Sequence, residues 1–62
     1  MTEHRALLAS LSTALDELTD RVTATADDAR PTDEDLALDL YEVERSLRAA
    51  GRRLNSVVRR LR

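Results

Sequence analysis

The sequence predicts an all-α protein, an antiparallel hairpin of two long helices that dimerises into a four-helix bundle. Three observations predict this fold class. Apolar residues follow a heptad repeat in each half of the chain, one proline separates the two repeats, and leucine and alanine dominate the apolar composition. Residues that favour strands are scarce, since the chain has four valines and one aromatic residue. A chain of 62 residues forms a single domain, residues 1–62.

The first helix is predicted over about residues 3–28. Thr2 and Glu3 favour a cap at its start. Steps of four and three residues place one stripe of side chains on a single helix face, as in a coiled coil. We call this stripe the first seam, and its members are His4, Leu8, Leu11, Leu15, Leu18, Val22, Thr25 and Ala29.

A turn is predicted at about residues 29–32, followed by a second helix over about residues 33–61. Pro31 cannot continue a helix, and it moves Arg30 out of the helical conformation. Thr32 is the predicted N-cap, with Asp33, Glu34 and Asp35 in the first turn. The second seam repeats the same steps at Leu36, Leu40, Val43, Leu47, Ala50, Leu54, Val57 and Leu61.

Two helices of matched length joined by a short turn predict an antiparallel hairpin. Two helices alone would leave much of each seam in water, so we expect two hairpins to pair through their seams. Gly51 lies beside the second seam and is the expected point of close contact with a partner helix. A long coiled coil of three or four chains is the alternative. The predicted self-association core is Leu8, Leu11, Leu15, Leu18, Val22, Leu36, Leu40, Val43, Leu47, Ala50, Gly51, Leu54, Val57 and Leu61.

The charges are unevenly divided along the chain. Residues 1–44 hold twelve acids and three arginines, a balance of −9, whereas residues 45–62 hold seven arginines and no acid. Packing two hairpins head to tail would bring the acidic turn of one against the arginine-rich end of the other. Ion pairs of this kind choose orientation and register more than they supply stability.

A polyanion is the alternative use of these arginines. Arg45, Arg52 and Arg59 recur every seven residues on the side away from the seam, with Arg48 beside them, and could contact phosphates. A net charge of −2, a pI near 5.2 and the lack of lysine disfavour a nucleic acid as partner. Nucleic-acid binding is therefore the second hypothesis.

The residues needed for catalysis are scarce. The chain has no cysteine, no glycine-rich phosphate loop, and one histidine, His4, without a metal-binding spacing around it. We expect no enzyme activity, no cofactor and no metal site. The run at residues 6–15 has the length of a signal-peptide core but contains three Ser or Thr residues and follows Glu3. We expect a cytoplasmic protein without a membrane partner.

One small group of residues lies outside the seams and suggests a site for another protein. Leu38, Tyr41 and Arg45 form a strip along one helix face near the turn, and Tyr and Arg are typical interface residues. The sequence thus favours a non-enzymatic interaction or assembly module, acting as a homodimeric helical bundle.

Overall fold

A computed structural model describes residues 2–61, with side chains from Glu3 onward. It consists of helix α1, Thr2–Ala29, and helix α2, Glu34–Arg60. The helices pack side by side in opposite directions, and their Cα atoms extend over 48 × 14 × 9 Å. The predicted all-α hairpin is confirmed, with every helix end within one residue of its predicted position. The predicted cap at Thr2 lies outside the described side chains.

Helix α1 contains several threonines, which are weak helix formers because of their branched Cβ. Their hydroxyls donate to the carbonyl oxygen four residues earlier, as in the bonds of Thr19 to Leu15 and Thr25 to Arg21, both 2.8 Å. Bonding of this kind satisfies the hydroxyl without a partner from another element. Thr19 can therefore be buried inside the hairpin.

The turn between the helices is closed by Ala29, whose carbonyl oxygen accepts from the backbone N–H groups of Thr32 (3.0 Å) and Asp33 (2.7 Å). The predicted N-cap at Thr32 is wrong, because Asp33 caps α2 by accepting from the backbone N–H of Leu36 at 3.1 Å. Thr32 instead lies in the turn after α1. Its hydroxyl donates back to Ala29, over 3.4 Å.

The interior of the hairpin is made of small residues. Those with the least exposure are Ser12 at 6%, Thr19 at 3%, Ala26 at 0% and Ala37 at 1%. In α1 they follow the seam by one position and repeat every seven residues. Small residues let the two backbones approach closely, and among the described residues no large side chain is fully buried.

The seams do not form the interior of the hairpin. Leu8, Leu15, Leu47 and Leu54 are half-buried along one flank of the contact between the helices. The seam residues between them point outward, with Leu11, Leu18, Leu36 and Val43 between 44% and 49% exposed. The helices therefore contact each other through one stripe and present an adjacent stripe to solvent.

The residues that pair across the two helices are offset by one helical turn from the pairs expected by counting residues outward from the turn. Counting equal numbers of residues back from Arg30 and forward from Asp33 would pair Ser12 with residue 51, since 30 − 18 = 12 and 33 + 18 = 51. In the structure the Ser12 hydroxyl donates to Asn55. The cause lies at the tip, because residues 34–36 are exposed and packing of α2 begins at Ala37.

Candidate functional site

An open apolar surface runs along one side of the hairpin. It combines the half-buried seam residues in the groove between the helices with the exposed seam residues on either side of it. We call it the leucine face, and it consists of Leu8, Leu11, Leu15, Leu18, Val22, Leu36, Leu40, Val43, Leu47, Ala50, Leu54, Val57 and Leu61. An apolar surface that follows the whole length of a monomer is typical of an interaction site.

The leucine face is not even along its length. Near the turn it contains a hollow of about 340 Å³, lined by Leu18, Arg21, Val22, Thr25 and Leu40. Thr25 occupies a seam position there, where the far end of the hairpin has Leu11. The leucine face therefore has a local hollow in its turn half.

The opposite side of the hairpin is polar. An open groove of about 430 Å³ is lined by two carboxylates of α1, two guanidinium groups of α2 and the smaller residues between them, namely Asp16, Thr19, Asp20, Arg48, Gly51, Arg52 and Asn55. The bond from Ser12 to Asn55 ties the two helices together beside it. Charged residues of both signs make this side compatible with water.

Gly51 is buried against its own hairpin, not on the leucine face. A Cβ atom at this position would lie 3.8 Å from Asp16 Oδ1 and 3.8 Å from the Leu15 side chain, which is ordinary van der Waals contact. The structure thus places Gly51 at the contact with α1, and its expected contact with a partner chain stays a prediction. Gly51 follows the seam by one position and so shares the stripe that faces α1.

The four arginines predicted as polyanion contacts divide into two pairs. Arg48 binds Glu44 at 2.8 Å, and Arg45 binds Glu42 at 3.3 Å, so both have carboxylate partners on α2 itself. Arg52 and Arg59 make no ion pair with any described residue, and Arg59 contacts only the Ser56 hydroxyl, at 3.5 Å. All four guanidinium groups belong to exposed residues.

Glu44 faces α1 more closely than the other acids of its helix. The hydrogen bond from Arg48 lowers the pKa of Glu44 below its ordinary 4.5, and the Thr23 hydroxyl of α1 lowers it further. The side chain of Glu44 is 20% exposed, against 67% for Glu42. Glu44 is therefore an ionised group held at the contact between the helices.

The strip formed by Leu38, Tyr41 and Arg45 is partly used by the hairpin. Tyr41 is half-buried and its hydroxyl donates to Asp27 Oδ1 across the helices, which raises the pKa of Tyr41 above 10.0. Arg45 is paired with Glu42, whereas Leu38 is 56% exposed. Leu38 is the member of this strip with the most free apolar surface.

The described residues form neither a metal-binding cluster nor a membrane-spanning helix. Among these residues, no group of three or more His, Cys, Asp or Glu side chains is placed to hold a metal ion. Over the same residues, neither helix combines the length and the apolar character that crossing a bilayer requires.

The stripe of small residues was missed in reading the sequence. The signal that could have found it is the seven-residue spacing of Ser12, Thr19 and Ala26, together with Ala37 and Gly51 on α2. A repeat of small residues beside a repeat of leucines indicates two different contacts on one helix. The predicted contact between helices rested on the leucine repeat alone, because hydrophobicity dominates the heptad pattern.

Comparison places the chain in no family, since no protein-family model matches it and neither the curated proteins nor the solved structures yield a significant match. Its function therefore has to be inferred from the leucine face, the polar groove and the arginines of α2. Of these three features, the leucine face is the one whose exposure to water is least favourable, because it is apolar.

Proposed function

We propose that the chain is a small, non-enzymatic interaction or assembly module that acts as a homodimer. Two hairpins bury their leucine faces against each other in a four-helix bundle. The observation that carries this proposal is the exposure of four large seam residues, 44–49% each, on a hairpin whose fully buried residues are all small. Small scaffolds without disulfides or metals commonly gain their missing stability from another chain.

The magnitudes favour pairing. Full burial of a leucine or valine contributes roughly 1.5–3 kcal/mol, so completing the burial of a half-exposed one contributes about 1 kcal/mol. Eight such residues, four from each hairpin, reach the lower part of the ~4–15 kcal/mol that association costs. The half-buried members of the leucine face add to this sum.

The test is the mass of the protein in solution. Sedimentation equilibrium should give about 14 kDa, twice the 7.0 kDa of one chain. Leu18→Glu places a charge in the middle of the leucine face and should shift the mass towards 7.0 kDa. A wild-type monomer at high micromolar concentration contradicts the proposal, and a mass of three or four chains supports the longer coiled coil instead.

Leu38→Glu is the matched control. Like Leu18, Leu38 is an exposed leucine of the hairpin, 56% exposed against 49% for Leu18, but it lies outside the leucine face. The same change of charge should leave the dimer intact. Because Leu38, Tyr41 and Arg45 would face outward from the bundle, they are the proposed contact for an additional protein partner.

Nucleic-acid binding is the second candidate function. Arg52 and Arg59, which make no ion pair with any described residue, are the observation that favours it. Fluorescence anisotropy with labelled RNA and DNA tests it at low and physiological salt. Binding that persists at physiological salt and is lost in an Arg45/Arg52/Arg59 triple alanine variant supports this function, whereas no binding at low salt excludes it.

A further inference from the structure

We infer that the two hairpins pair head to tail, so that the turn of each lies against the chain ends of the other. This inference rests on the homodimer proposed above and specifies its geometry. A two-fold dimer through the leucine faces has two arrangements. Head to head, α2 packs on the partner's α1 at the same level. Head to tail, α2 packs on the partner's α2 in the opposite direction.

Charges on the rim of the leucine face distinguish the two arrangements. Asp39, Arg53 and Arg60 share one face of α2, because they are 14 and 7 residues apart (53 − 39 and 60 − 53). Each immediately precedes a seam residue, which places it on the rim away from α1, and all three are exposed. The acid lies near the turn and the arginines lie near the chain ends. Antiparallel pairing of α2 with a second α2 thus sets opposite charges together.

The head-to-head arrangement would oppose like charges. The register that pairs Ser12 with Asn55 puts Asp28 of α1 level with Asp39 of α2, since both pairs sum to 67. Asp28 occupies the corresponding rim of α1, one residue before Ala29. Head-to-head packing would therefore bring Asp39 against the partner's Asp28 at two symmetric places. Repulsion across an interface selects against such an arrangement.

Distances between spin labels test the orientation directly. The chain has no cysteine, so Thr32→Cys in the exposed turn gives one label per chain. Head-to-tail pairing predicts a label separation near the 48 Å length of the hairpin. Head-to-head pairing predicts about 20 Å, roughly two helix diameters. The short distance overturns the orientation while leaving the dimer intact, and no dipolar signal together with a monomer mass overturns both.

A charge reversal gives an independent readout with opposite signs. Asp39→Arg would face the partner's Arg53 and Arg60 in the head-to-tail dimer, and the dissociation constant should rise about tenfold. In the head-to-head dimer the same change would face the partner's Asp28 and tighten association. Asp20→Arg makes the same charge change in the polar groove and should leave the dissociation constant unchanged. Tighter binding by Asp39→Arg, or an equal effect of both variants, contradicts the inference.

Discussion

The interior of the hairpin and the leucine face are two stripes on the same helices, and they use opposite kinds of side chain. The interior has Ser, Thr, Ala and Gly residues that are almost fully buried, whereas the leucine face leaves large side chains 44–49% exposed. Small residues permit close approach of the backbones but remove little apolar area from water. The comparison indicates that contact within the chain is set by shape, and that most of the hydrophobic burial is left for another chain.

The stripes also differ in how they tolerate polar groups. Thr19 and Ser12 are buried in the interior, where their hydroxyls bond to Leu15 and Asn55. The leucine face has Thr25 as its one polar seam residue on α1 between Leu8 and Ala29. The bond from Ser12 to Asn55 crosses the hairpin and fixes the register, whereas the leucine face has no such directional contact to constrain its partner.

Overpacking the interior should give the largest effect. Ala37→Leu adds three carbon atoms at a site that is 1% exposed, which should lower the free energy of unfolding by about 1–3 kcal/mol. The measurement is urea unfolding followed by circular dichroism at fixed protein concentration, because dimerisation contributes to apparent stability. Ala24→Leu, at an exposed position of α1, is the control and should stay within about 0.5 kcal/mol. Equal losses in both variants would mean that the interior is not close-packed.

A gain in stability is expected from Gly51→Ala. The new Cβ atom would make ordinary contacts at 3.8 Å, and alanine is favoured over glycine in a helix by about 1 kcal/mol. Unfolding should therefore require more urea, with the dimer mass unchanged because Gly51 faces its own α1. A loss of mass would place Gly51 at the contact between chains, as the sequence had suggested.

A smaller effect is expected at the hydrogen bond between Tyr41 and Asp27. This bond raises the pKa of Tyr41 above 10.0, so its contribution to stability is complete below pH 10 and is lost as pH rises through the raised value. Asp27→Asn should move the pKa of Tyr41 back towards 10.0. Tyrosinate absorbance reports it cleanly, because the chain has one tyrosine and no tryptophan. Asp28→Asn removes a neighbouring charge without that bond and should shift the titration less.

The smallest effect is expected at acid pH, from the pair of Glu44 and Arg48. Since Arg48 lowers the pKa of Glu44 below 4.5, the pair stabilises the hairpin above that pH and is lost as pH falls through the lowered value. Arg48→Gln should raise the pH at which acid unfolding begins, as measured by circular dichroism. Arg45→Gln breaks the more exposed pair and should change it less. The reverse order would show that Glu44 does not act at the contact between the helices.

Much of the fold could be predicted because it depends on local rules. Pro31 ends the first helix wherever the rest of the chain lies, and the caps and heptad seams place each helix end to within one residue. The N-cap was harder, since Thr32 and Asp33 are both good caps and adjacent in sequence. The choice between them depends on how the turn after α1 is hydrogen-bonded. The Ala29 carbonyl oxygen accepts from the backbone N–H groups of both Thr32 and Asp33, so Thr32 stays in the turn and Asp33 caps α2.

The sequence predicted which apolar residues share a helix face, but it did not predict which stripe packs against α1; that the leucine face contacts a second chain stays a prediction. The leucines and valines of the proposed self-association core all belong to the leucine face, whereas Gly51 lies inside the hairpin. The heptad pattern shows which residues of α2 share a helix face. It does not show which edge of that face packs against α1. The pair of Glu44 and Arg48 follows from their i,i+4 spacing and is confirmed, whereas the pair of Glu42 and Arg45 emerges only from side-chain geometry.

The sequence by itself determined two helices, one turn, a stripe of leucines on each helix and a division of charge, because these follow from periodicity and composition along the chain. Only the tertiary structure decided that the small residues face inward, that α2 is offset by one helical turn against α1, and that the leucines remain open. The physical reason is that packing of two helices depends on how closely their backbones can approach. Ser12, Thr19, Ala26 and Ala37 permit a closer approach than leucine does.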